Sequence, residues 1–185
     1  LRAVGDIGTH WMDTVQFILG QKITEVMAEL STFVKLRKKP AGSVKTFSRK
    51  ASEDYLEVPI NTEDYGAILL RFAGGTKGLM SVSQVSAGRK NRLGFEIYGS
   101  KASLSWNSER PNELALGYRD KANELITKDP ALLHDNVLPY TNYPGGHTEG
   151  FPDTFKQLYR AIYNYLAVAD FKAPKPYPTF QDGHD

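Results

Sequence analysis

The stretch from Asp64 to Ser86, DYGAILLRFAGGTKGLMSVSQVS, reads as two strands, Asp64–Phe72 and Lys77–Ser86, joined by the turn Gly74-Gly75-Thr76. Asn91–Tyr98 follows as a further strand. Gly99-Ser100-Lys101 turns into Ala102–Trp106, and Glu113–Tyr118 comes next. Strands in direct succession with short turns imply an antiparallel sheet. Upstream, residues 23–36 read as one long strand, rich in β-formers through Phe33 and Val34. Helical patterns flank the strands. Residues 6–19 form one, with Asp6 placed to cap it, Gly20 to close it, and Ile7, Trp11, Val15 and Ile18 as its apolar face. Residues 150–168 form another, with Phe151, Phe155, Leu158, Ile162 and Leu166 on one face. The class is therefore α+β: a largely antiparallel open sheet of about six strands with helices on one face. The other face is available for oligomerisation, with Val82, Val85, Ile97 and Leu104 as its candidates.

Around this frame lie less regular segments. Residues 37–62 read as a long excursion. From Lys35 to Lys50 the chain carries seven positive and no negative residues, and Glu53, Asp54 and Glu57 follow. Residues 128–146 read as irregular loop, and Pro174, Pro176 and Pro178 stiffen a tail. Leu1 and the turn-like end at Tyr177–Asp185 read as cut ends of a longer protein, with no leader segment before the first helix.

Composition removes several function classes. The 185 residues are 41% hydrophobic and 24% charged, ordinary for a globular domain. A net charge of +2 gives no case for nucleic acid as the main partner, and no apolar run is long enough for a membrane. There is no cysteine, so disulfides, thiolate metal sites and cysteine nucleophiles are excluded. That is compatible with the cytoplasm, the compartment we expect. No His, Asp and Glu cluster has metal-ligand spacing, so no metal is expected. Gly74–Gly78 has the wrong spacing for a phosphate loop and reads better as a hairpin turn.

The sharpest constellation is Gly5-Asp6-Ile7-Gly8-Thr9-His10-Trp11-Met12-Asp13. Asp6 and His10 are four apart, so on a helix they point the same way, and Asp13 and Phe17 continue that face. A carboxylate one turn from an imidazole favours the protonated ring, an arrangement suited to moving a proton near neutral pH. Gly8 removes a side chain where a ligand could approach the backbone, and the helix N-terminus suits an anionic or hydroxyl-rich ligand. The plainer reading is that Asp6 caps the helix and His10 lies on its surface. His147, set among Gly145, Gly146 and Gly150, can be aimed into a cleft, or can be an exposed loop histidine. Arg89 and Asn91, after a strand end, suit sugar hydroxyls or a carboxylate; a solvated turn is their plainer reading.

The run Gly5–Thr14, followed by an apolar helix ending in Leu-Gly, resembles the second domain of the glucose–fructose oxidoreductase/inositol dehydrogenase/MocA family. The resemblance continues through Ser83–Gly88, Phe95–Ser100, Ser103–Trp106, Gly145–Phe151 and Phe180-Gln181-Asp182-Gly183, the last with Gln for the family's Glu. It implies a two-domain oxidoreductase. An N-terminal Rossmann domain binds NAD or NADP, and the second domain supplies substrate contacts and the oligomer sheet. Residues 1–185 match that second domain as a single unit, without a strand–GxGxxG–helix segment or a Glu-Lys-Pro segment. By the same resemblance, the family's Asp-x-x-x-His pattern falls on Asp6 and His10. His10 is then the general acid/base as a sugar, polyol or inositol-like alcohol gives its hydride to nicotinamide, and Asp6 orients His10 or binds a neighbouring hydroxyl. Asp13 is either a further hydroxyl contact or a structural hydrogen bonder. The 185 residues alone are expected to be inactive. Partners implied are the Rossmann domain, a sugar-like substrate and further copies of the chain. The alternative is a non-enzymatic ligand-binding or assembly module of the same fold.

Overall fold

The computed structural model describes residues 2–42 and 54–184. The chain forms two compact units, Leu1–Arg89 and Lys90–Asp185.

The first unit is built around β4 (Tyr65–Phe72). Gly66, Ile68, Leu70 and Phe72 are buried, and the residues between them are not, the pattern of a strand covered on one face. β1 (Ile23–Ser31) and β5 (Lys77–Ser83) flank it, both antiparallel, in the order β1-β4-β5. The register sets Leu30, Gly66 and Val82 in one row and Ala28, Ile68 and Met80 in the next. Over these rows runs a helix, a π turn at Val4–Gly8 continuing into α1 (Thr9–Leu19), which ends at left-handed Gly20 (φ 62°). Ala3, Gly8 and Val15 are its buried positions, while Ile7 and Ile18 of the expected apolar face stand at its exposed edge. The close approach needs glycine: a Cβ on Gly66 would stand 2.8 Å from Val4 Cγ2.

Several boundaries differ from the sequence expectation. The strand expected over 23–36 stops at Ser31, because the buried Asp64 carboxylate takes the Phe33 and Val34 N–H groups at 2.8 and 2.9 Å. The excursion expected over 37–62 contains a ribbon, β2 (Leu36–Pro40) paired antiparallel with β3 (Tyr55–Pro59). Lys45, Arg49 and Lys50 of the basic run lie outside the described residues. β5 ends at Ser83, where the Gln84 N–H turns back to the Asp64 carbonyl at 2.8 Å. Val82, expected on an open face, is buried beneath the helix, because its register opposite Gly66 puts it on the covered side. The exposed row of this sheet is Met27, Leu69 and Leu79.

The second unit holds β6 (Gly94–Tyr98), β7 (Ala102–Asn107), β8 (Glu113–Tyr118) and β9 (Glu124–Thr127), antiparallel in that order. Phe95, Trp106, Leu114 and Ile126 make one apolar row, with the first two rings stacked at 5.6 Å. The α+β class and antiparallel pairing are as expected, but among the described residues the strands form three separate sheets rather than one of about six. The cause is local: residues 84–93 leave the ladder after β5, and β6 starts a new one with β7. Residues 128–146 contain two short 3-10 turns, Pro130–Leu132 and Leu138–Tyr140.

α2 (Phe151–Val168) begins where the Gly150 N–H meets Asp153 Oδ2 at 2.9 Å. Phe151, Phe155, Leu158 and Leu166 of its expected apolar face are exposed; Tyr165 is buried instead. The proline-rich tail folds back on that side, so Tyr165 meets Phe171 and Tyr177 edge-on and donates to the Ala173 carbonyl at 3.3 Å. The end read as a turn is α3 (Phe180–His184), opened by Thr179, whose N–H and hydroxyl both reach Asp182 Oδ2. No helix among the described residues is long and apolar enough to cross a membrane.

Candidate functional site

The helix carrying Asp6 and His10 is capped from a distance. Glu63, just before β4, accepts the Arg2 and Val4 N–H groups on its carboxylate, at 2.5 and 3.1 Å, and the Ala3 N–H on its carbonyl at 3.3 Å. Asp6 is therefore not the cap. Its own N–H bonds the Arg2 carbonyl at 3.0 Å, inside a helix that has already started. The Arg2, Ala3 and Val4 N–H groups at this helix start are already taken by Glu63, two on its carboxylate and one on its carbonyl. Burial alone would raise the Glu63 carboxyl; the Arg2 and Val4 N–H groups outweigh it and hold it below its ordinary value. Asp64 is fully buried and also held low, first by the Phe33 N–H, against the effect of burial, with the Val34 N–H and the Arg2 guanidinium at 3.4 Å adding to it.

The turn that follows is widened. The Thr9 N–H bonds the Val4 carbonyl, five residues back, and the Thr9 hydroxyl donates to the Asp6 carbonyl at 3.0 Å. Gly8, expected to open the backbone to a ligand, faces the sheet instead. It is buried, and a Cβ there would lie 3.3 Å from Met80 Cε. Asp6, His10, Asp13 and Phe17 are all exposed along the opposite side of the helix. Among the described residues no hydrogen bond or ion pair joins Asp6, His10 and Asp13 to one another. The structure thus presents two carboxylates and an imidazole on the free face of a helix whose other face is fixed to a sheet.

Arg89 ends the first unit, in a turn closed by its N–H on the Ser86 carbonyl at 3.3 Å. Asn91 and His147 belong to the second unit, and both are exposed. The His147 loop is held by groups that sequence reasoning missed. Asn112 Nδ2 donates to the His147 carbonyl at 3.0 Å and Asn112 Oδ1 accepts from the Glu149 N–H at 3.4 Å. The Glu149 carboxylate pairs with Lys128 Nζ, both little exposed, and accepts the Asn142 N–H at 2.7 Å. Burial pushes the Glu149 carboxyl up, but the Lys128 ammonium and the Asn142 N–H prevail and hold it below its ordinary value. No short-range signal marks Lys128 and Asn112, since their partners lie 21 and 35–37 residues away.

The glycine-rich run is not a cradle for the nicotinamide dinucleotide that the resemblance implies. The glycine-rich run after β4 is a hairpin turn, closed by the Phe72 N–H on the Thr76 carbonyl at 2.9 Å with Gly75 at φ 84°. It leads into a strand, whereas a pyrophosphate needs a helix N-terminus there. Among the described residues no group of three His, Asp or Glu side chains could hold a metal ion.

Comparison with known proteins gives these features a family. The family model of the GFO/IDH/MocA C-terminal domain matches residues 2–105. Levoglucosan dehydrogenase of Pseudarthrobacter phenanthrenivorans is 30% identical over 116 residues, covering 63% of this chain and 30% of that protein. An oxidoreductase domain protein from Kribbella flavida is 30% identical, with TM-score 0.76 over 98% of this chain and 44% of its own. An inositol dehydrogenase homologue from Azotobacter vinelandii, solved with NAD+, is 26% identical, with TM-score 0.77 over 98% of this chain and 42% of its own. The chain thus spans less than half the length of these relatives. With the family match over more than half of its residues and the fold agreement along nearly all of them, the chain belongs to the GFO/IDH/MocA oxidoreductase family, as its C-terminal domain.

Proposed function

We propose that residues 1–185 act together as the substrate-side and oligomerisation domain of an NAD(P)-dependent dehydrogenase acting on a sugar, polyol or inositol-like alcohol. The observation that carries this reading is the exposed Asp6–His10–Asp13 face on a helix capped by Glu63 and seated on β4 and β5. The relatives' ligands support this substrate class. The Azotobacter vinelandii homologue has been solved with NADH and myo-inositol, and levoglucosan dehydrogenase with NADH and L-sorbose. Such substrates carry several hydroxyls and little charge, which suits a short carboxylate and imidazole array better than a basic pocket.

In this reading His10 accepts the hydroxyl proton as the alcohol is oxidised and returns it in the reverse direction. Asp6 binds the neighbouring hydroxyl or steers the imidazole. Asp13, one turn further on, is a second hydroxyl acceptor. His147, Arg89 and Asn91 are assigned as further hydroxyl contacts, His147 from the family pattern and the other two from their chemistry. The dinucleotide is assigned to residues outside those described, where it would take the hydride. Every role given to this chain is on the proton and binding side. The exposed row Met27, Leu69 and Leu79 supports assembly with further copies through the sheet face.

The test is the full-length protein containing these residues, assayed for NAD+ and NADP+ reduction with myo-inositol, levoglucosan and simple sugars. Turnover of at least one is expected, and His10→Ala should lower kcat about 100-fold or more while the protein stays folded. Normal turnover in that variant removes the role of His10. Tight binding of a polyol with no cofactor reduction would favour a non-enzymatic module.

A further inference from the structure

The helix that carries Asp6 and His10 hangs from one residue. Glu63 takes three successive backbone N–H groups, those of Arg2, Ala3 and Val4, two on its carboxylate and one on its carbonyl. Val4 is the first residue of the π turn, Asp6 stands at its centre, and His10 follows it. The next residue, Asp64, binds the end of β1 through Phe33 and Val34 and the guanidinium of Arg2. Gln84 at the end of β5 closes on the Asp64 carbonyl. The start of the helix and the ends of β1 and β5 are thus joined through two adjacent residues.

Capping by a residue 59–61 positions away is not the local solution. A helix start exposed to water needs only a Ser, Asn or Asp of its own, and Asp6 was available. Capping from the sheet instead leaves Asp6 free on the exposed side and ties the direction of the first turn to the strand rather than to the local chain. A wide turn has weak geometric preference of its own, so an outside anchor decides where its side chains point. We propose that Glu63 is a positioning residue for the Asp6–His10 face: its cap sets the direction in which the π turn presents both side chains. The inference rests on the reading of His10 as proton acceptor and adds a residue that never touches substrate.

Three variants of the full-length protein test it, each assayed by NAD+ reduction with the polyol turned over by the wild type. Glu63→Ala, which removes the acceptor, should lower kcat at least tenfold and leave KM for NAD+ within twofold. Glu63→Gln keeps an acceptor oxygen at the same reach, so kcat should return to within threefold of wild type. Phe72→Leu, a buried change at the other end of β4, should reduce stability with kcat within twofold. Should Glu63→Ala not fold, Glu63→Asp, whose carboxylate is one methylene short, takes its place with the same expected drop. Wild-type kcat in the acceptor-less or shortened variant overturns the inference, as does an equal loss in Phe72→Leu. Amide exchange gives a second reading independent of turnover. Residues 4–10 should exchange at least tenfold faster in Glu63→Ala or Glu63→Asp, with protection restored in Glu63→Gln; unchanged protection overturns the inference. A wild type inactive on every polyol defeats the proposed function, and exchange alone then judges Glu63.

Discussion

Gly66 and Gly8 both sit under the first helix, but their neighbours differ in freedom. A Cβ on Gly66 meets branched Val4 at 2.8 Å and Leu30 Cδ2 at 3.1 Å, whereas one on Gly8 meets the flexible end of Met80. Gly66→Ala should therefore cost about 1–3 kcal/mol and Gly8→Ala clearly less, read from urea midpoints. Equal effects would mean that the helix start is loosely seated. Charge adds a pH dependence at the same place. Glu63 and Asp64 are held below their ordinary values in the folded protein. Their contribution is present above the unfolded carboxyl values, about pH 4, and is lost as pH falls through the lower folded values. Asp64→Asn should be less stable near neutrality and show a flatter loss of stability below about pH 4. An unchanged acid limb would remove Asp64 from that account.

Among the described residues, α2 is tied to the preceding loop and to the tail through its side chains. Gln157 and Arg160 reach the Tyr140 and Pro139 carbonyls at 2.9 Å, and Tyr165 packs under the tail. Tyr165→Ala should cost about 3 kcal/mol, while Tyr165→Phe, which loses only the bond to Ala173, should cost about 1 kcal/mol. Chemical denaturation followed on the second unit separates the two. The β2–β3 ribbon pairs with no third strand among the described residues, and isolated two-stranded ribbons are marginal. Amides of β2 and β3 should exchange at least tenfold faster than those of β4, which is paired on both sides. Comparable protection would mean that another surface covers the ribbon in the assembled protein.

For the whole molecule, the exposed Met27–Leu69–Leu79 row makes a specific expectation about assembly. If copies join through this face, Leu69→Glu with Leu79→Glu should lower the mass seen by light scattering, because burying two carboxylates without partners is costly. The substituted positions lie on the side of the sheet away from α1, so the folded content of the first unit should persist. An unchanged mass would move the interface elsewhere.

The strands of the DYGAILLRF…KGLMSVS hairpin were legible because a strand covered on one face must alternate, and a glycine turn must connect its halves. The α+β class, the left-handed Gly20 and the shared exposed face of Asp6, His10, Asp13 and Phe17 followed from equally local rules. What the chain could not disclose locally depended on partners far along it. Glu63 caps a helix start 59–61 residues away, so Asp6 looked like the cap. Asp64 ends β1 from 30–31 residues away, so the strand looked longer than it is. Val82 looked like an open-face residue until register placed it opposite Gly66 under the helix. Local pattern determined which residues became helix and strand. Only the tertiary structure decided which face was covered and which carboxylate held the helix, because both depend on groups that meet only once the chain has folded.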